Sequence, residues 1–408
     1  MSEHIEQPFE SVESGSGSYR FIEFAAYILF GIGPLVGNAV LTLLGPISAQ
    51  FALNPTAILV AIPAFMFPFA FIQLFSGAIS DIYGRVPVIA SGLLAFIAGI
   101  ALIAFSTSIE FFALGHLVSG VGFGFTNPVL LALLSDCAIP EEIPKKMGIA
   151  SALASLGVGL GPFIAGQMVV FGWQYYYLLI LLIVFLGLIA VTVAERPPTQ
   201  VHGETGIRVL IKSLSLELRK PAVLLMLFTG FLVSNAYLGT LVWTSRGLTG
   251  AINETLTGLL LLGAGIFGAT AGLLLNRMIR RWSYGISISI GIVSLFATMT
   301  IFLLIGDITT ASSVPWVGLA FILVGWAGGI LFPLLITFSQ IISPERRGVL
   351  AGVLTFAFFL GVALIPTLYE PLFLLGMTSL YLGLLGVSVL LLIFYSALHL
   401  KVKNLHAK

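Results

Sequence analysis

The chain has 408 residues, of which 58% are hydrophobic and only 9% are charged, and its mean hydropathy is +1.10. A soluble globular protein carries about 25% charged residues, so this composition excludes a cytosolic or secreted globular domain, a coiled coil and a disordered chain. The net charge of +1 leaves no basic excess for nucleic acid. The single cysteine, Cys137, excludes an intramolecular disulfide and a cysteine-based metal site, and the five histidines lack metal-ligand spacing. We therefore expect an integral membrane protein without a metal or other cofactor.

Residues 1–19 are polar and acidic without a basic residue, which predicts a disordered cytoplasmic tail rather than a signal peptide. Twelve apolar runs follow, each long enough to cross the bilayer as a helix, which takes roughly 20 residues. They lie at about 21–47, 55–79, 86–106, 110–134, 148–170, 174–194, 222–244, 255–275, 284–305, 315–341, 348–368 and 376–398. Because they are continuously apolar, the sequence predicts an all-α multi-pass protein with twelve transmembrane helices.

The basic residues fix the predicted orientation. With both termini cytoplasmic, every one of the 18 lysines and arginines except Arg246 falls on the cytoplasmic side. The positive-inside rule therefore predicts this topology in a plasma or inner membrane.

The longest polar segment lies midway, after the sixth run. It spans 195–221, contains a Pro-Pro pair, and can form a short amphipathic helix over 206–218 at the inner surface. We predict an N-terminal six-helix bundle over 20–194, a cytoplasmic linker over 195–221, a C-terminal six-helix bundle over 222–399 and a cytoplasmic tail over 400–408.

The two halves are predicted to be repeats. Three groups of residues recur with near-constant offsets: Gly77, Asp81 and Arg85 with Gly272, Asn276 and Arg280; Gly120, Gly124 and Pro128 with Gly325, Gly329 and Pro333; Gly148, Gly157 and Pro162 with Gly352, Gly361 and Pro366. Two six-helix repeats around a midplane site are typical of secondary transporters.

The loop after the second span carries Gly77, Asp81, Gly84 and Arg85 in the spacing Gly-x-x-x-Asp-x-x-Gly-Arg. It resembles the signature loop of the major facilitator superfamily, although Val86 replaces a basic residue that the family usually has. We interpret these four residues as a gating motif: the glycine allows close helix packing, the aspartate pairs with a cation, and the arginine anchors at the interface.

The fifth span carries Gly157, Gly161, Pro162 and Gly166. This segment resembles the Gly-Pro motif of the twelve-helix drug:proton antiporters of the superfamily. In that family the motif marks exporters, so the resemblance implies export; simple helix packing is the alternative reading.

Two titratable residues are candidates for proton coupling. His116 stands in the fourth span where the family often has an arginine, and Glu23 lies in the first turn of the first span. A buried histidine can carry a proton, although a neutral, hydrogen-bonded His116 is equally compatible with the sequence. No Asp, Glu, Lys or Arg occupies the middle of any predicted span, which weakens the expectation of proton coupling.

The resemblance also implies that the first, fourth, seventh and tenth spans line the substrate cavity. The polar or aromatic residues that it would place there are Asn38, Asn127, Asn235, Tyr237 and Trp326. Each of these side chains can instead join two helices. Without a mid-depth cation, a neutral, weakly polar or lipophilic substrate fits better than an anion.

We therefore expect a secondary active transporter working by alternating access. The favoured hypothesis is a monomeric proton-coupled exporter of small, mostly apolar or weakly polar compounds; an uptake permease or uniporter for a neutral metabolite is the alternative. A transporter-like sensor or a membrane-embedded enzyme is a more distant alternative, and the sequence contains neither a phosphate-binding loop nor a His-Glu-x-x-His pattern.

Overall fold

The computed structural model describes residues 19–139, 141–197, 207–343 and 346–406. Within that part of the chain twelve helices are long and apolar enough to cross a membrane, which confirms the predicted spans. In chain order they are Arg20–Phe51, Ala61–Tyr83, Arg85–Ala104, Ile109–Asp136, Ile143–Met168, Trp173–Val193, Pro221–Leu248, Glu254–Arg281, Tyr284–Ile305, Val314–Ile342, Arg347–Leu374 and Met377–His406. A short helix, Pro55–Ile58, precedes the second span, and a 3-10 turn, Val169–Phe171, extends the fifth.

Most helices are longer than the apolar runs that predicted them. The eighth span ends with Arg280 and Arg281 in its last turn, and the twelfth continues to His406, through part of the predicted tail. Intrahelical hydrogen bonds continue where the apolar sequence stops, because charged side chains at a helix end can reach the interface. The predicted N-terminal tail lies outside the described residues except for Tyr19, as do 198–206 of the linker.

Successive spans run in opposite directions, so their ends lie on two faces. We call the terminal face the one that contains the ends at 20, 83–85, 136–143, 193–221, 281–284, 342–347 and 406. The opposite face contains the ends at 51–55, 104–109, 168–173, 248–254, 305–314 and 374–377. Among the described residues, every lysine and arginine except Arg246 lies toward the terminal face.

The spans form two six-helix halves. In the first half the fourth span packs on the second and third, and the first span packs on the fifth. In the second half the tenth span packs on the eighth and ninth, and the seventh packs on the eleventh. The halves meet mainly where the fifth span contacts the eighth and where the second contacts the eleventh.

The linker contains a helix, Ile207–Glu217, within the stretch where an amphipathic helix is predicted. We call it the interfacial helix. It contacts the second and eleventh spans, and therefore touches both halves at the terminal face.

Candidate functional site: the gates between the two halves

The turn between the second and third spans depends on Gly84. Its φ of +90° lies in the left-handed region, which an L residue with a Cβ adopts only with strain. Its N–H donates to the Ser80 carbonyl at 2.9 Å and closes the second span. The turn makes Arg85 the first residue of the third span, beside Asp81.

Arg85 is the centre of a compact charge cluster. Its guanidinium donates to the Asp81 carboxylate, to Ser80 Oγ at 2.6 Å and to Asp136 Oδ2 at 3.0 Å. Arg85 and Asp136 are only 12% and 10% exposed, so solvent screens their interaction weakly. We call Ser80, Asp81, Arg85 and Asp136 the Arg85 cluster; it joins the second, third and fourth spans of one half.

Asp136 is not among the residues that the sequence patterns predict for this site. It is the last residue of the fourth span, where the negative end of the helix dipole disfavours a carboxylate and a cation is needed nearby. An acid at the boundary of a span was the available signal.

The predicted close approach at Gly77 is wrong for this conformation. Among the described residues, no heavy atom outside its own helix lies within 4 Å of a Cβ built on Gly77, and the same holds for Gly148 and Gly352 near the terminal face. Each of these three glycines therefore borders open space rather than a neighbouring helix.

The Gly-Pro segment, residues 157–166, packs tightly on the first span. A Cβ on Gly157 would lie 3.0 Å from the Gly31 carbonyl oxygen, and one on Gly161 would lie 2.7 Å from Leu35 Cα. Backbone cannot move aside as a flexible side chain can, so these positions require glycine.

The other side of the same segment meets the second half. A Cβ on Gly166 would lie 3.0 Å from the carbonyl carbon of Glu254, and Thr255 Oγ1 donates to the Gly166 carbonyl at 3.3 Å. The contact continues toward mid-depth, where a Cβ on Gly258 would lie 2.7 Å from the Pro162 carbonyl oxygen. The fifth and eighth spans therefore close the opposite face.

Arg246 adds a polar contact between the halves on that face. Its Nε donates to Thr56 Oγ1 at 2.8 Å and its Nη2 to Asn54 Oδ1 at 2.9 Å. Its guanidinium also lies over the Phe373 ring, 5.1 Å from the centroid. In the sequence Arg246 stands out only as the exception to the charge bias, and no local pattern predicts these contacts.

A chain of phenylalanine rings crosses between the halves near mid-depth. Phe69 of the second span lies 5.4 Å from Phe123 and 4.7 Å from Phe359 of the eleventh span, centroid to centroid. Phe358 continues the chain to Phe332 of the tenth span at 4.2 Å. With 32 phenylalanines in the sequence, no local signal distinguishes these.

His116 lies among aromatic rings inside the first half. Its ring is 4.4 Å from Phe112 and 6.2 Å from Tyr177, and the residue is 2% exposed. Nδ1 lies 2.9 Å from the Phe112 carbonyl oxygen, which can only accept, so Nδ1 carries the proton. Nε2 is buried and has no hydrogen-bond partner within the part of the chain that the structure describes.

Glu23 lies far from His116, at the terminal end of the first span. It forms an ion pair with Lys146 of the fifth span, and the two side chains are 16% and 12% exposed. Lys146 also donates to the Cys137 carbonyl at 2.9 Å. The structure does not bring the two predicted coupling residues together.

The predicted cavity residues differ in environment. Asn38 is half-buried and donates to the Pro34 carbonyl at 2.8 Å, and Asn127 and Trp326 are also half-buried. Asn235 is 1% exposed and faces the eleventh span, where a Cβ on Gly361 would lie 3.0 Å from Asn235 Nδ2.

Tyr237, also predicted for the cavity, is 9% exposed, and its ring lies 2.8 Å from a Cβ built on Gly328 of the tenth span. Asn235 and Tyr237 therefore make helix–helix contacts within the second half. In the part of the chain that the structure describes, no group of histidine, cysteine or acidic residues could hold a metal ion.

Comparisons with known proteins agree with this architecture. The family model described as Major Facilitator Superfamily matches residues 23–366. An uncharacterized MFS-type transporter of Bacillus subtilis, YceJ, is 26% identical over 308 residues, covering 74% of this chain and 76% of that protein. A crystal structure of a variant of the nucleoside transporter NupG has a TM-score of 0.74 at 15% identity, covering 92% of this chain and 99% of that one.

Shorter matches join the chain to resistance proteins. The methylenomycin A resistance protein of Bacillus subtilis is 31% identical over 147 residues, 36% of this chain and 31% of that protein. Multidrug resistance protein 2 of the same organism is 32% identical over 98 residues, 24% of each. The family match spans most of the chain and includes the Arg85 cluster, the Gly-Pro segment and the fifth and eighth spans, so the chain is a transporter of the Major Facilitator Superfamily.

Proposed function

We propose that the protein is a proton-coupled exporter of small, mostly apolar or weakly polar compounds, with its terminal face and both chain termini in the cytoplasm. The bias of lysine and arginine toward the terminal face supports this orientation in a plasma or inner membrane. The similarity to two resistance proteins supports export, although each match covers a third or less of the relative.

The observation that carries the proposal is the packing of the Gly-Pro segment. One side of this segment contacts the first span and the other contacts the eighth, so it connects the two halves on the opposite face. Alternating access needs one interface that closes while another opens. The tight glycine contacts and the Arg246 contacts form a closed gate on the opposite face. The open space around Gly77 and Gly352 lies at a second gate, on the terminal face.

The substrate class is inferred from the side chains near the middle of the membrane. The phenylalanine chain between Phe123 and Phe332 provides apolar and aromatic surface where the halves meet. Among the described spans, the Asp, Glu, Lys and Arg side chains lie in the end turns. Rings of this kind bind flat apolar compounds and offer no counter-ion for an anion.

We propose Glu23 rather than His116 as the proton carrier. The Glu23–Lys146 ion pair links the first span to the fifth near the terminal face, so protonation of Glu23 would weaken a contact between two spans that take part in gating. His116 is enclosed by aromatic rings and its nearest polar contact is a carbonyl of its own helix.

Uniport or uptake of a neutral metabolite is the second candidate function. The observation that favours it is the position of both titratable candidates: Glu23 lies at a span end and His116 lies inside one half, so neither is at mid-depth between the halves. Such a protein would move solute down its gradient without proton movement.

Proteoliposomes with an imposed pH gradient test the proposal. Lipophilic cations and neutral drugs are added while an interior dye reports pH, for the wild type, Glu23→Gln and His116→Gln. We expect substrate-triggered proton movement in the wild type and in His116→Gln and its loss in Glu23→Gln, with thermal stability as the folding control. Solute flux without proton movement in the wild type would contradict export by antiport, and loss in His116→Gln alone would transfer the coupling role to His116.

A further inference from the structure

An apolar groove lies beneath the interfacial helix. Its volume is about 180 Å³, and its lining includes Leu74 of the second span, Leu214 and Leu218 at the interfacial helix, Phe231 of the seventh span, and Phe356 and Leu360 of the eleventh. All of its lining residues are apolar, so water inside it would find no hydrogen-bond partner.

The groove lies at the depth of lipid acyl chains. Phe356 is nine residues into the eleventh span, about 13 Å along the helix from Arg347 at 1.5 Å per residue, and Leu74 is at a similar distance from Tyr83. Half of the hydrocarbon core is about 15 Å thick. Phe71, which contacts Phe356 at 5.1 Å, is 51% exposed, so this side of the protein borders the bilayer.

Basic side chains lie near the interfacial helix, which covers the groove. Residues 210–220 and 346–347, which form the interfacial helix and the segment bound to it, include five basic residues and one acid, Glu217. Lys220 Nζ and Arg346 Nη1 both bind Glu217 Oε1, at 2.9 and 3.2 Å. The other three basic residues, Lys212, Arg219 and Arg347, are exposed. The local charge is therefore positive at the level of lipid headgroups.

We propose that this groove binds an anionic phospholipid, with an acyl chain between the second and eleventh spans and the phosphate against the exposed cations. An acyl chain supplies the apolar contacts that the lining lacks. Each nearby lysine or arginine favours an anionic headgroup over a zwitterionic one. The combination of an apolar groove and a cationic rim selects this ligand over a second protein chain, which would need a larger surface than the groove offers.

The position of the groove couples the lipid to transport. Leu74 belongs to the first half, whereas Phe231, Phe356 and Leu360 belong to the second. An acyl chain between them separates the two halves near the terminal face, where Gly77 and Gly352 have open space. The bound lipid therefore stabilises the conformation in which the terminal face is open.

Native mass spectrometry of the full-length protein tests the proposal, with phosphatidylglycerol and phosphatidylcholine offered in equal amounts. We expect the wild type to retain phosphatidylglycerol preferentially. Lys212→Gln and Arg219→Gln should each lower this preference about fivefold. Ala357→Trp, which places a large side chain in the groove, should lower the retention of both lipids.

Matched controls lie on the twelfth span, where Lys401 and Ala397 are exposed. Lys401→Gln and Ala397→Trp should leave lipid retention unchanged, and thermal unfolding checks that every variant is folded. Equal retention of the two lipids by the wild type, equal loss in the control variants, or a stable dimer in place of lipid-bound monomer would overturn the proposal.

Discussion

The terminal face contains two charge clusters with inverted composition. In the first half, Arg85 is a cation bound by two acids, Asp81 and Asp136. In the second half, Glu217 is an acid bound by two cations, Lys220 and Arg346. The first cluster has a net charge of −1 and the second +1, so closure of the terminal face would bring opposite charges toward each other.

The clusters also differ in what they connect. The Arg85 cluster holds three spans of one half together, whereas Glu217 attaches the interfacial helix to the loop after the tenth span, through Ser343 Oγ at 3.3 Å as well as Arg346. The repeat explains the asymmetry, because Asn276 replaces Asp81 in the second half, and the described structure gives Arg280 no ion pair. The linker supplies the charge cluster that the second repeat lacks.

The largest effect is expected from removing the central cation. Arg85→Gln leaves the largely buried Asp136 carboxylate without its cation, and should lower the free energy of unfolding by about 3 kcal/mol and abolish transport. Arg280→Gln is the matched control in the other repeat and should change stability by less than about 0.5 kcal/mol. Thermal unfolding measures the stability of both variants, and solute flux measures their transport. Equal effects of the two substitutions would contradict the difference between the two halves.

A smaller effect is expected from Asp81→Asn. Asp81 is 29% exposed and the Arg85–Asp136 pair remains, so the fold should survive with little loss of stability. If the Asp81–Arg85 pair contributes about 1.4 kcal/mol to one conformation, the conformational ratio shifts about tenfold. Flux in proteoliposomes should fall accordingly, with substrate binding preserved. Full transport activity of Asp81→Asn would contradict a gating role for Asp81.

Glu217→Gln should act locally. Lys220 and Arg346 are 48% and 33% exposed and can turn to water, so the loss is about 1 kcal/mol. Amide hydrogen exchange in the interfacial helix should therefore accelerate about fivefold while exchange in the transmembrane core stays unchanged. Unchanged exchange over 207–217 would mean that the apolar contacts alone hold the helix.

The smallest effect concerns Cys137. Burial and the neighbouring Asp136 carboxylate raise the pKa of the Cys137 thiol to about 12, so it reacts slowly with maleimide at neutral pH. Asp136→Asn removes the charge and lowers this pKa; a decrease of half a unit would raise the labelling rate about threefold at pH 8. Asp307→Asn on the opposite face should leave the rate unchanged. A slower rate in Asp136→Asn would contradict the assigned electrostatics.

The sequence predicted those features that local spacing encodes. The spans follow from hydropathy alone, and the Asp81–Arg85 pair follows because the two residues are one helical turn apart with Gly84 between them. Asp136 is 51 residues from Arg85, so no local pattern connects the two. Glu217 has one local partner, Lys220, but its partners Ser343 and Arg346 lie more than a hundred residues away, so no local pattern reveals the cluster.

The cavity could not be predicted residue by residue. The seventh span is apolar around its whole circumference, so periodicity does not indicate which face Asn235 or Tyr237 occupies. The structure places both against other spans of their own half. Phe69 and Phe359 meet only because the two halves are apposed, which neither half determines by itself.

The tight contact between Gly166 and Glu254 has a mechanical consequence. From Gly166 to the terminal end of the fifth span there are 23 residues, a lever arm of about 35 Å at 1.5 Å per residue. A rotation of about 10° around this contact would move the terminal ends by about 6 Å, roughly the width of a phenyl ring. The backbone contact that glycine permits would thus be the pivot of this rotation. A rotation small enough to preserve the packing at Gly166 would separate the spans at the terminal face, on the other side of the membrane.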